Sequence, residues 1–147
     1  MSEALGLGLV GAGNFGAFCL RAYNEMPEGT VVAAADVDLE RARRVATHCV
    51  RVYSDYQALL ADPVVQIVAI NTLPFLHGII AHQAAEAGKH VFVEKPLATS
   101  LDEGIAAIRA ARSAGVRLGI GYVLRHHPLH RLAAKVVCSA APGEFQH

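Results

Sequence analysis

The chain has no tryptophan and only three cysteines, Cys19, Cys49 and Cys138, an odd number spread without a C-x-x-C pair. That spacing argues against a disulfide framework or a thiolate zinc site and fits reduced, buried thiols. Neither charge sign dominates, since lysine plus arginine and aspartate plus glutamate number 13 each. No overall field therefore draws the chain to nucleic acid, anionic headgroups or a polyanionic partner. No apolar run reaches the roughly 18 to 20 residues of a membrane-crossing helix, and Met1-Ser2-Glu3 lacks the basic start of a signal peptide. A cytoplasmic protein without nucleic acid or membrane partners is expected. Low-complexity tracts and charge blocks are also lacking, which leaves no indication of disorder or a flexible linker.

What is present is apolar: 53% of 147 residues are hydrophobic, enough for one ordinary core. Strand-like runs recur at residues 5–10, 31–35, 66–71, 90–94 and 117–122, with a short one at 50–53, and helical segments lie between them. Such alternation predicts a parallel sheet, and the lack of strict polar alternation within the runs predicts helices on both faces. The expected class is α/β, a doubly wound parallel sheet of strand order 3-2-1-4-5-6, with a ligand crevice at the carboxyl ends where the order reverses. Gly11, Asp36, Thr72 and Glu94 all fall at such ends. Ser54 with Gln57 and Ser100 with Glu103 match capping boxes. Asp38 is an expected N-cap for a helix over 39–49, and Gly88 and Gly115 sit where helices should stop.

Gly11-Ala12-Gly13-Asn14-Phe15-Gly16 follows the first apolar run and opens a helical segment. In a strand-turn-helix unit the first glycine makes the tight turn, the second lets backbone approach a pyrophosphate, and the third lets helix pack on strand. The anion sits at the helix N-terminus, where unpaired N–H groups and the helix dipole favour it without a lysine. The second run ends in Asp36, 20 residues beyond Gly16. A carboxylate there accepts hydrogen bonds from adenosine ribose hydroxyls and repels a 2′-phosphate, favouring NAD over NADP. Arg41, Arg43 and Arg44, one or two turns into the next helix, keep NADP open. A role for Asp36 in capping that helix is the plainer alternative.

Two further features exceed what a sheet needs. Asn71-Thr72 closes one strand and leads to His77 at a helix start, and Glu94-Lys95-Pro96 follows another strand. A lysine placed over the crevice can hydrogen-bond cofactor and substrate hydroxyl and relay a proton during hydride transfer. A solvated surface lysine, and a histidine bonded to backbone, are the alternatives.

This combination resembles the Gfo/Idh/MocA oxidoreductases, the glucose-fructose oxidoreductase and inositol dehydrogenase family. The resemblance rests on Gly11 to Gly16, Asp36, Thr72 to His77, the run Ala87-Gly88-Lys89-His90-Val91, and Glu94-Lys95-Pro96. It implies a Rossmann domain over residues 1–124 that holds NAD, with NADP the less favoured cofactor. By resemblance, Gly11, Gly13, Asn14, Phe15 and Gly16 hold the pyrophosphate and Asp36 the ribose, while Lys95 is the catalytic residue beside nicotinamide and substrate. Thr72, His77 and Glu94 match positions that shape the nicotinamide side. Arg125, at the end of the sixth strand, reaches cofactor or substrate, or is a surface residue. The small-molecule substrate it implies is a sugar, cyclitol or polyol oxidised at a secondary hydroxyl.

Where the family shows Thr-Pro-Asn, this chain has Thr72-Leu73-Pro74, so proline is displaced by one position. Family members are more than twice as long, and their second domain supplies substrate contacts. Residues 125–147 read as a connecting helix and the truncated start of that domain, absent here, so the chain alone is expected to turn over little. Leu129, Leu132, Ala133, Val136 and Val137 form an apolar helical stripe, which predicts association with that domain or with another copy in a homo-oligomer. His126, His127 and His130 cluster near Pro128, but adjacent histidines before a proline cannot share one helical face, and no metal site is expected. A freestanding, non-catalytic NAD-binding sensor or regulatory module is the competing function.

Overall fold

The computed structural model describes residues 4–46 and 50–139. The order is β1 (Leu5–Val10), α1 (Asn14–Asn24), β2 (Gly29–Ala35), α2 (Leu39–Val45), β3 (Arg51–Tyr53), α3 (Tyr56–Ala61) and β4 (Ile67–Ile70). Then come α4 (Pro74–Glu86), β5 (His90–Val93), α5 (Leu101–Ser113), β6 (Leu118–Ile120), a 3-10 turn (Val123–Arg125) and α6 (Pro128–Ser139). The six strands form one sheet in the order β3-β2-β1-β4-β5-β6, every neighbouring pair parallel. The order reverses between β1 and β4, where Val10 lies opposite Ala35 on one side and Ile70 on the other.

Both faces of the sheet are covered, which is why its strands are apolar throughout. On one face, Leu59, Leu60, Ile80, Ala81, Ala84, Ala107 and Ala111 of α3, α4 and α5 pack on Val10, Ala33, Val68, Ile70, Val91 and Val93. On the other, Leu20 of α1, with Val45 of α2 partly buried, packs on Leu7, Leu9, Val31, Ala34 and Ala69. Each large aliphatic side chain fully buried this way contributes about 1.5–3 kcal/mol. Alanines in the strands and on the inner faces of α4 and α5 let helix axes approach the sheet closely. A side chain at Gly8 would meet Leu59 Cδ2 at 2.8 Å.

Helix ends follow local chemistry, with two departures from expectation. Asp38 caps α2, accepting from the amides of Glu40 at 3.1 Å and Arg41 at 3.4 Å. The helix ends at Val45, however, since Ala46 is already extended, and residues 47–49 of the predicted span lie outside the described residues. The cap of α3 is Asp55, not Ser54: its carboxylate accepts from the Gln57 amide at 2.9 Å, one residue beyond the expected cap. Ser100 caps α5 as expected, taking the Glu103 amide at 3.3 Å. The reciprocal half of the box does not form, since Glu103 Oε2 is buried without a partner among the described residues. Gly88 and Gly115 end α4 and α5 with φ of +73° and +68°, a backbone conformation that costs glycine nothing. The strands at 66–71, 90–94 and 117–122 are shorter than predicted, their last residues bending into the loops that form the crevice.

Of the three thiols, Cys19 is half-buried and Cys138 lies exposed on α6, which corrects the expectation of buried cysteines; Cys49 lies outside the described residues. None of the described helices is long and apolar enough to cross a membrane.

Candidate functional site

The glycine-rich turn joins β1 to α1 at the point where the sheet order reverses. Gly11 has φ of +93°, and a side chain there would stand 2.6 Å from the Asn71 carbonyl oxygen, so both conformation and space demand glycine. A Cβ on Gly16 would fall onto the Gly11 carbonyl oxygen, which is how close α1 lies to the end of β1. Gly13 differs: it is the N-cap of α1, and a Cβ there would meet nothing within 4 Å. No side chain caps α1 and no acidic residue stands in its first turn. The amides opened by Asn14, Phe15 and Gly16 are thus left to an incoming anion. The Phe15 side chain is exposed and lies against Phe18, with ring centroids 6.1 Å apart, and is no part of the core.

Asp36, at the tip of β2, belongs to the same turn. Its Oδ2 accepts from the Ala12 amide at 2.8 Å and its Oδ1 from the Asp38 amide at 2.9 Å. The carboxylate therefore fastens the glycine turn to the next strand and also steadies the entry to α2, while Asp38 does the capping. Each carboxylate oxygen has lone pairs left to accept a hydroxyl. Arg41 Nε is paired with Asp38 at 3.1 Å and Arg43 with Glu40, both exposed pairs on α2 of the weak kind, while Arg44 is exposed and in no ion pair among the described residues.

Across the crevice, the displaced proline opens α4: Pro74 stands at its first position, where a missing N–H costs nothing, and Leu73 before it is extended at φ −71°, ψ 143°. Thr72 lies in the loop before it, its hydroxyl making only a 3.4 Å contact to the Leu73 carbonyl. His77 is 1% exposed. Its Nδ1 is 2.7 Å from the Pro96 carbonyl oxygen and its Nε2 3.1 Å from that of Thr72. Of the two readings of His77, bonding to backbone is the one its ring nitrogens display.

Glu94 follows β5, its amide bonded to the Ile70 carbonyl at 3.0 Å and its carboxylate accepting the Lys95 amide at 3.2 Å. That carboxylate fills the space a side chain at Gly121 would need, 2.7 Å from Glu94 Oε1. Lys95 is exposed, and among the described residues nothing pairs with its ammonium group. Arg125 lies on the 3-10 turn with its guanidinium carbon 5.7 Å from the Tyr122 ring centroid, and among the described residues its side chain makes no ion pair. His127 and His130 meet edge to face at 5.4 Å. Among the described residues no group of three potential metal ligands comes together.

Sequence reasoning missed two participants. Gly121 is required by the Glu94 carboxylate, and the sequence marked it only as part of the predicted run at 117–122. Asn71 lies beneath the turn, and both polar atoms of its amide, like the Tyr23 hydroxyl from α1, are buried without partners among the described residues. Burial first, then the neighbouring Cys19, raises the Tyr23 hydroxyl above its ordinary range, so it stays protonated. Burial first, then the Glu94 charge, raises the Cys19 thiol likewise. The two groups that α1 places there are thus uncharged at neutral pH.

An amide-lined helix start at the switch point, a carboxylate at the neighbouring strand tip and an exposed lysine after β5 fit a Rossmann domain of the dinucleotide-binding oxidoreductases. Residues 5–122 match the Gfo/Idh/MocA model, described as an oxidoreductase family with an NAD-binding Rossmann fold, and the chain belongs to that family. Levoglucosan dehydrogenase of Pseudarthrobacter phenanthrenivorans is 34% identical over 155 residues, covering 97% of this chain and 39% of that protein. KijD10, a 3-ketoreductase from Actinomadura kijaniata solved with NADP, superposes at a TM-score of 0.88 with 28% identity, over 98% of this chain and 46% of that one. GenD2 from gentamicin A biosynthesis, solved with NAD, superposes at 0.87 with 30% identity, over 95% and 40%. The chain therefore spans less than half the length of these relatives. Because the two neighbours hold different nucleotides, the fold by itself does not choose between NAD and NADP.

Proposed function

We propose that this chain is the cofactor-holding part of an NAD-dependent dehydrogenase that oxidises a secondary hydroxyl on a sugar, cyclitol or polyol. The observation that carries the reading is the open cradle at Gly13, where backbone amides face space that no side chain occupies and Asp36 closes the adjoining edge. Gly13 to Gly16 would hold the pyrophosphate and Asp36 the adenosine ribose. Bound cofactor supplies the hydride acceptor. Lys95, with its ammonium free, orients the substrate hydroxyl and assists transfer of its proton. Thr72, Glu94 and His77 shape the nicotinamide side, the first two from loop positions at strand ends and His77 from beneath. Preference for NAD rests on Asp36, whose charge opposes a 2′-phosphate. The levoglucosan dehydrogenase and ketoreductase relatives support a sugar-like substrate. By itself the chain binds cofactor and turns over little, since substrate contacts belong to the remaining length that its relatives possess.

Calorimetric titration with NAD and with NADP tests this. Saturable binding with NAD preferred, weakened about tenfold by Asp36→Ala, is the expected result, a loss of about 1.4 kcal/mol. Failure of the chain to bind either nucleotide would overturn the reading.

A further inference from the structure

The loop after β4 and the loop after β5 are tied to each other by one buried side chain. His77, in the first turns of α4, reaches the Pro96 carbonyl through Nδ1 at 2.7 Å and the Thr72 carbonyl through Nε2 at 3.1 Å. Thr72 closes the β4 side of the crevice, and Pro96 directly follows Lys95. An imidazole has a polar atom at each end of a rigid ring and so can lie in contact with two carbonyls at once, donating to one of them when neutral and to both only when charged. The neighbouring residue shows that this seat is built into the backbone. A Cβ on Gly78 would stand 2.9 Å from the Cβ atoms of both Ala98 and Glu103, so α4 rests directly against the segment that carries Lys95 into α5.

We propose that His77 is a positioning residue: it couples the Thr72 loop to the Lys95 loop and so sets the nicotinamide half of the site without touching the cofactor. This rests on the cofactor reading above. The adenosine half is built elsewhere, from the Gly13 turn and Asp36 on β1 and β2, and shares no hydrogen bond with His77. Loss of the brace must therefore act on one half of the ligand only.

The test compares the unaltered chain with His77→Phe and His77→Asn, titrated with NADH and with ADP-ribose, which lacks the nicotinamide. Phenylalanine keeps the ring and loses both polar contacts. Asparagine places an amide nitrogen near the position of Nδ1 and keeps the bond to Pro96. The expected result is a loss of about tenfold in NADH affinity for His77→Phe, with ADP-ribose changed by less than about twofold and most of the NADH affinity restored in His77→Asn. Amide hydrogen exchange on the same proteins should speed up at both 72–76 and 94–99 in His77→Phe, and chiefly at 72–76 in His77→Asn. Equal losses for the two ligands would show a merely structural role and overturn the proposal, as would unchanged exchange in His77→Phe. An unaltered chain that binds neither ligand would overturn the cofactor reading instead, with the exchange data still deciding whether the brace exists.

Discussion

At the scale of single residues, two glycines three positions apart do opposite jobs. Gly16 is needed by the fold, because a methyl group there would collide with the Gly11 carbonyl oxygen, a backbone atom with nowhere to go. Gly13 is not, because its side-chain direction is open space and its φ of −67° suits any residue. Gly16→Ala should cost about 2 kcal/mol, read as a fall in melting temperature of about 6 °C. Gly13→Ala should leave stability within about 0.5 kcal/mol while weakening NAD about tenfold or more, since its methyl group occupies the approach to the amides. Thermal melts and calorimetry on the two variants separate these effects. If Gly13→Ala bound NAD as well as the parent, the pyrophosphate would not lie at this turn. The same pair shows what could be read from residues alone: the G-x-G-x-x-G spacing already gave the second glycine to a pyrophosphate and the third to helix packing, and the tertiary structure adds the atom that Gly16 must avoid and the open space beside Gly13.

At the scale of elements, the sheet is stapled by a buried carboxylate that periodicity could not find. Asp62, between α3 and β4, accepts from Arg51 at 2.6 Å and Tyr53 at 2.9 Å on β3, and from the Val64 amide at 3.1 Å. Lys89, just before β5, donates to the carbonyls of Asp62 at 2.9 Å and Val65 at 2.8 Å. Burial would raise the Asp62 carboxyl, but the Arg51 guanidinium, the Val64 amide and the Tyr53 hydroxyl outweigh it and hold it below the usual 3.8. A carboxyl depressed in the folded state contributes stability that is present above its unfolded pKa and lost as pH falls through the folded one. Melting temperature should therefore drop below about pH 4. Asp62→Asn should cost about 2 kcal/mol at neutral pH and show a shallower decline in acid. A variant whose acid profile matched the parent would assign the acid sensitivity to other groups. Local signals did better where one residue sets one bond, as at Asp38 and Ser100, and failed where two candidates stood side by side, as at Ser54 and Asp55.

At the scale of the molecule, one helix has no share in the core. No residue of α6 is buried, and Leu129, Leu132, Val136 and Val137 are each at least half exposed. The neighbouring Val123 and Leu124 are exposed as well, giving an apolar surface beyond β6 larger than scattered single residues would make. We propose that in solution a second copy covers this surface, so self-association is expected. Sedimentation velocity over a range of concentrations should show a dimer or larger species, and Leu132→Glu with Val136→Glu should return it to a monomer without lowering the melting temperature. A parent chain that is monomeric at all concentrations would place the stripe against a different surface.

The sequence by itself determined the α/β class, the strand order, the glycine turn with its partner Asp36, and the family to which the chain belongs. These depend on hydrophobic period, on steric demands of a few glycines and on motif spacing, all of which are local or repeat along the chain. The tertiary structure alone decided that Asp36 clamps the turn through two backbone amides and that Glu94 fills the space of Gly121. It also decided that His77 is buried between two loop carbonyls and that Asp62 joins three segments. The physical reason is that each of these arrangements includes partners distant in sequence, 24 residues apart for Asp36, 19 for His77 and 11 and 27 for Asp62, which meet only after the strands have paired, and no periodicity records which side chain arrives at which backbone group.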